Sequence, residues 1–439
     1  MDTPALPRPR FGALVLLFVL AVGAVPACGS SESGTAPTTS LEPTTAPATL
    51  APSTLAPTTL PPTSLPPTTT IDPANARIDE LIATLPLDEK VGQLIMTVVL
   101  EGSLSDADRL ALSEAHLGGV FFTSTNRNVV SVEQSQAFIA DLQSTAGRIG
   151  HLIATDQEGR LVGRYDPPSV ELPQNASAWA AAYADDPEAA LAGYIAEQQR
   201  AAADLCTAGI NVNFAPDVDV DTSGSGVLRN RTFGADPSTT TAFARAAVEA
   251  YRDTGVAPTA KHFPGHGATA ADSHQTLPVI ELPRAEWEAT HLPPFAAAIE
   301  ADMPIIMVGH LAYLDLDPSG RPASLSPVII TELLRDELGY DGVVVTDDLG
   351  TMRAVRDVPA DERVMQTIEA GADIALVASG TDDAVSAANA LVAAASDGRL
   401  SEQDIDNALR RVLHLKTTLG LVDGALELAD GTPTCGVAE

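Results

Sequence analysis

Beyond residue 72, short apolar runs alternate with longer amphipathic stretches. Eight of these runs have the length of buried strands: 92–99, 118–123, 152–155, 211–215, 258–262, 304–309, 342–346 and 373–378. Ala-rich segments with helical periodicity lie between most of them, such as 176–208 and 239–251. Another, 401–419, opens on the capping-box-like Ser401-Glu402-Gln403-Asp404. The alternation predicts an α/β protein, a (β/α)8 TIM-like barrel in a single catalytic domain. A doubly wound open sheet satisfies the same alternation, but no Gly-rich phosphate motif follows any strand, which argues against its nucleotide-binding form. A barrel places reactive residues where strands run into loops on one face. Asp156-Gln157-Glu158-Gly159 follows the third run, His262 closes the fifth, His310 follows the sixth, and Asp347-Asp348 follows the seventh. The unusual polar residues all fall at strand ends.

The first 71 residues are of another kind. In 1–28, Arg8 and Arg10 precede an apolar run, 11–25, too short for a comfortable transmembrane helix. The run ends in Val25-Pro26-Ala27-Cys28, which resembles a bacterial lipobox with an unusual Pro26, so Cys28 is the expected lipidation site. Several acyl chains there would meet the need for more than one lipid signal in stable anchoring; an ordinary cleaved signal peptide is the alternative. Residues 29–71 are Ser, Thr, Pro and Ala, a composition that cannot bury enough apolar surface to fold and that prolines keep extended. A disordered tether is expected there, a folded domain over 72–425 and a tail over 426–439. The expected location is the outer face of the cytoplasmic membrane, facing the cell wall, with the lipid anchor as the sole membrane contact.

The 439 residues carry 58 acids against 25 bases, a formal charge of −33, which excludes nucleic acid and anionic membrane surfaces as partners. A hydrophobic content of 45% excludes global disorder. Cys28 aside, Cys206 and Cys435 are the only cysteines; they offer one pairing, not a disulfide framework, and neither reads as catalytic.

Three of the eight histidines crowd into Lys261-His262-Phe263-Pro264-Gly265-His266-Gly267 and the Asp272-Ser273-His274 that follows. Histidines four apart raise a metal site, but Pro264 and Gly265 forbid the helical turn that would put both on one face. An Asp two residues from a His can instead orient the imidazole and fix its tautomer for general acid/base work. Solvated loop residues are the plain alternative, weakened by the cluster as a whole.

The run from Lys261 to His274 resembles the signature of family 3 glycoside hydrolases of the β-N-acetylglucosaminidase type, and the resemblance covers roughly residues 75–420. It implies a retaining exo-glycosidase that removes terminal β-N-acetylglucosamine from peptidoglycan-derived glycans, as a monomer, with no metal and no organic cofactor. It also implies roles. Asp347 is the nucleophile, and Asp348 is not, because neighbouring strand residues point to opposite sides. His274 is the acid/base and Asp272 its orienting partner. Asp156, Arg164, Arg231, Lys261 and His262 bind the sugar; His310 is left without a role. The family run with two glycines reads Asp156-Gln157-Glu158-Gly159-Arg160 here, and Arg160 puts the shape of the sugar subsite in question. A phosphorylase stays open, since a neutral imidazole does not repel phosphate. A β-glucosidase fits Asp272-Ser273-His274 less well, and a sugar-binding wall lipoprotein needs neither Asp347 nor His274.

Overall fold

A computed structural model describes residues 73–123, 131–224 and 228–422. The chain divides into two units at Thr68, and the described residues all belong to the second. The expected signal segment with Cys28, the tether and the tail with Cys435 lie outside the described residues.

Eight parallel strands form the centre: β1 (Ile95–Thr97), β2 (Gly119–Phe122), β3 (Leu152–Thr155), β4 (Val212–Asn213), β5 (Ala257–Phe263), β6 (Ile305–Val308), β7 (Val343–Thr346) and β8 (Ala375–Val377). They run in the spatial order β8-β1-β2-β3-β4-β5-β6-β7. β7 and β8 then meet through a parallel bridge between Val345 and Ile374, with Asp373 N–H on Val344 O at 2.8 Å and Thr346 N–H on Ile374 O at 3.0 Å. The first and last strands are neighbours and the ring closes, so the sheet is a barrel and not an open doubly wound one. Every residue of the eight strands is buried, as expected when inward side chains fill a barrel and helices cover its outside. The seam is pinned by Asp373, fully buried, which accepts from Arg335 Nη2 at 2.6 Å, Arg411 Nε at 2.8 Å and Val344 N–H at 2.7 Å.

Several expected elements end or break inside their apolar patterns, three of them for evident reasons. The run 92–99 begins in a helix, Leu87–Gly92, and only Ile95–Thr97 pairs as a strand; Asp88 and Glu89 favour the helix start in its first turn. The helical stretch 176–208 is two helices, Ala176–Asp185 and Pro187–Ala208, broken at Asp186. Pro187 has no N–H to continue the first helix, and Asp186, extended at φ −149° and ψ 95°, caps the second through Ala189 N–H. β4 stops at Asn213 before Pro216 interrupts the ladder, and pairing with β5 resumes at Asp217 opposite Lys261. That resumption sets Asp217 and Asp219 beside the Lys261-His262 end of β5.

The helix Glu402–Thr418, capped by Ser401 Oγ on Gln403 N–H, carries a fully buried lysine. Lys416 Nζ donates to Gln93 Oε1 at 2.6 Å and to the carbonyls of Gly118 and Gly150, each at 2.8 Å. Those glycines stand just before β2 and β3, so one amine ties the last helix to the strand starts. Burial without a carboxylate partner brings its pKa down to about 7. Cys206, on the helix Pro187–Ala208, is buried and disulfide-bonded.

Candidate active site

The polar strand ends surround a cavity of about 680 Å³. Asp347, His274, Asp156, Arg164, Arg231, Lys261 and His262 all line it, and Asp272 stands behind His274. Residues 191 positions apart in sequence, Asp156 and Asp347, thus face one space.

Asp347 follows β7 directly, and its N–H continues the ladder to Val308 O at 2.9 Å. Burial alone would raise its pKa, but attraction to His262 and His310 whenever those rings carry charge, and a bond from Asp348 N–H to Oδ1 at 2.9 Å, lower it. The carboxylate is ionised at any working pH. Asp348 is differently occupied. Its Oδ1 accepts from Gly350 N–H at 2.7 Å and Ala378 N–H at 2.8 Å, and its Oδ2 from Thr351 N–H at 3.0 Å and the Thr351 hydroxyl. It holds the turn after β7 against β8. His310, fully buried and kept neutral by that burial, donates from Nε2 to Asp348 O at 3.0 Å while Nδ1 accepts from Ser324 Oγ at 2.7 Å. Its role is to hold the backbone that carries both acids.

On the opposite loop, His274 is 70% exposed at its side chain, and its Nδ1 meets Asp272 Oδ1 at 2.9 Å. The same oxygen accepts His274 N–H at 3.0 Å. Burial would raise the pKa of Asp272, but these two bonds and the nearby imidazole lower it, so the carboxylate stays charged and accepts the hydrogen bond of Nδ1–H. Nε2 is then the nitrogen left to exchange a proton with a ligand in the cavity.

The floor of the cavity is a buried network of charges. Lys261 Nζ lies 2.7 Å from Asp156 Oδ1 and 2.6 Å from Glu158 Oε1. Arg231 forks onto Glu158 through Nε at 2.8 Å and Nη2 at 2.9 Å. Burial opposes ionisation of Glu158, yet Arg231 and Lys261 hold its pKa well below the usual carboxylate range. Arg164, whose N–H bonds Asp156 O at 2.9 Å, brings a third cation to the wall. Asp219, fully buried, accepts from His262 Nδ1 at 2.8 Å and from the N–H groups of His262 at 3.3 Å and His266 at 2.6 Å. The Asp219 bond fixes the His262 proton on Nδ1, and burial keeps the ring neutral, its pKa near 3. Asp217 lies beside Asp219; burial first, then the neighbouring carboxylate, keeps a proton on this pair well above the usual range.

Ligand atoms of Asp217, Asp219 and His262 lie within 4.8 Å of one another. Asp219 already accepts three donors, one of them His262 Nδ1–H, and Arg231 Nη2 stands 3.4 Å from Asp217 Oδ2. A cation there would displace a proton and face a guanidinium, so the donor set suits a hydrogen-bonded network better than a metal. Arg160 is exposed and is not among the residues lining the cavity.

The sequence alone left Glu158 and His266 without a role and did not single out Asp217 or Asp219. Glu158 stood in the quoted Asp156-Gln157-Glu158 run, and the alternation Asp217-Val218-Asp219-Val220 is the period that puts two acids on one face of an extended segment.

The profile of the glycosyl hydrolase family 3 N terminal domain matches residues 86–415. A beta-hexosaminidase of Alkalilimnicola ehrlichii is 38% identical over 288 residues, 65% of this chain and 80% of that protein. Among solved structures, a family 3 beta-N-acetylglucosaminidase from a Paenibacillus species aligns at 36% identity with a TM-score of 0.72, over 77% of this chain and 63% of that one. The beta-N-acetylhexosaminidase of Beutenbergia cavernae aligns at 31% identity with a TM-score of 0.70, over 76% of this chain and 99% of that one.

Proposed function

The chain belongs to glycosyl hydrolase family 3, and from that premise we propose that it removes terminal β-linked N-acetylglucosamine by a retaining, two-step mechanism. The observation that carries this reading is the ionised Asp347 across one cavity from the His274–Asp272 pair. Asp347 attacks the anomeric carbon while His274 gives its Nε2 proton to the leaving oxygen, forming a glycosyl-enzyme. His274, now neutral, takes a proton from water as the water displaces Asp347, and the sugar leaves with its original configuration. Asp272 keeps the imidazole oriented and balances its charge before the first step and after the second. Asp156, Arg164, Arg231, Lys261 and His262 supply rigid donors and acceptors for the hydroxyls of an uncharged ring.

Peptidoglycan fragments are the proposed substrates, and the proposed setting is that of an exported, monomeric lipoprotein facing the wall. Arg8, Arg10, the apolar run 11–25 and Cys28 support the anchor, and the Ser/Thr/Pro tether supports reach. Partition of the wild type into detergent, lost in Cys28→Ala, tests the anchor. The activity is tested by release of the aglycone from a chromogenic β-N-acetylglucosaminide, with and without phosphate. Turnover without phosphate supports the hydrolase; turnover that requires phosphate and yields sugar 1-phosphate replaces it with a phosphorylase.

A further inference from the structure

The loop bearing the acid/base has a rigid half and an exposed half. Pro264 O accepts from Trp287 Nε1 at 2.7 Å, and Gly265 O from the Tyr313 hydroxyl. His266 N–H sits on Asp219, and Gly267 O takes the N–H groups of Thr222 and Ser223, each at 3.1 Å. A side chain at Gly267 would strike Val220 O, so the backbones are in direct contact there. From Ala268 to Asp272 the chain is half-buried, with Ala270 exposed, and Ser273 turns back in, 2% exposed, before the exposed His274.

One side-chain contact joins the two halves: His266 Nε2 to Ser273 Oγ at 3.1 Å. Both residues are buried, and His266 Nδ1 has no hydrogen-bond partner. An orphaned acceptor is tolerated better than an orphaned N–H, so the proton sits on Nε2 and His266 donates to Ser273. Backbone bonds complete the attachment. Ser273 O accepts Ala354 N–H at 3.2 Å and His274 O accepts Arg353 N–H at 3.4 Å, both from the segment that follows Asp347.

We propose that His266 and Ser273 are positioning residues for the acid/base, fastening the Asp272–His274 turn to the rigid half of its loop. Neither touches substrate; their bond limits where His274 Nε2 can stand relative to the leaving oxygen. The inference rests on the role given to His274 above.

The test compares wild type, Ser273→Ala, His266→Phe and the double variant on N-acetylglucosaminides whose leaving groups run from dinitrophenol to a sugar alcohol. A dinitrophenolate departs without a proton and a sugar alkoxide does not. For either single variant, kcat/KM should fall by about tenfold or more with the sugar leaving group and stay within about twofold with dinitrophenol. For the dinitrophenyl glycoside kcat and KM should fall together, because the second step also needs His274 as base. The double variant should lose no more than the worse single one, since both remove the same bond, and Ser273→Thr should restore the wild-type slope. An equal loss across leaving groups, or losses that add, overturns the proposal and leaves the contact a matter of stability. Wild-type turnover of every glycoside is measured first, so a failure of the hexosaminidase reading is seen separately.

Discussion

Asp347 and Asp348 are adjacent and chemically identical, and the structure gives them opposite work, which the isosteric variants Asp347→Asn and Asp348→Asn can separate. In Asp348→Asn the amide nitrogen must replace one carboxylate oxygen. If it replaces Oδ2 it meets Thr351 N–H, donor against donor; if Oδ1, it meets Gly350 and Ala378 N–H. The Thr351 hydroxyl can rotate to accept, so the cheaper choice strands one backbone donor at about 1–3 kcal/mol, and lost charge assistance on the others adds about 1 kcal/mol. A total near 2–4 kcal/mol in a domain of this size is a fall of about 3–5 °C in melting temperature. In Asp347→Asn the one bond from Asp348 N–H survives on the amide oxygen, so melting should stay within about 2 °C while kcat drops at least about 10³-fold with loss of the nucleophile. Thermal unfolding and chromogenic assay on the same preparations decide it. If Asp348→Asn abolished turnover with unchanged melting, the assignment of the two acids would be wrong.

Replacing Asp217 by Asn tests the shared proton. A raised folded-state pKa means the folded protein holds more protons than the unfolded one between the ordinary Asp value and the raised one, so this group lowers stability as pH rises toward neutrality. Asp217→Asn should therefore differ least from wild type near pH 4 and gain on it steadily up to about pH 7 in denaturant titrations; a constant difference refutes the shared proton. Lys416→Met strands three buried acceptors and should cost about 3 kcal/mol near neutral pH. With a folded pKa lowered to about 7, wild type binds fewer protons folded than unfolded above that value, so the deficit of the variant should widen from pH 7 to 9. Arg231→Lys keeps the charge but loses the fork on Glu158, and should raise KM by about tenfold with a smaller change in kcat.

The barrel was legible because its strands are buried on both faces and therefore read as unbroken apolar runs, and because its reactive residues could be checked against their ends. The ends themselves were less legible. Leu94 and Val99 are as buried as β1 itself, so composition could not say where pairing starts. The break at Asp186 is visible as Asp-Pro inside an Ala-rich run, but the helical periodicity runs on through both sides of it. In the site, residues at the motif positions were found and their partners were not. Nothing local to Lys261 or Arg231 says that Glu158 will lie between them, and Asp219 joins His262 only because Pro216 interrupts β4 and pairing resumes at Asp217. The alternation at Asp217 and Asp219 was there to be read, but it marks a shared face and not what that face meets.

The amine of Lys416 reaches back 323, 298 and 266 positions to Gln93, Gly118 and Gly150. A chain emerging amino end first, from a ribosome or a membrane pore, therefore carries three unsatisfied acceptors until nearly its whole length has arrived. β1 likewise waits for β8. The early strands must remain open, with exposed edges, for as long as delivery takes, which makes this interval the one in which the protein is most vulnerable to sticking and to proteases. Locking then comes in a single late event, when the final helix seats its lysine under the finished ring.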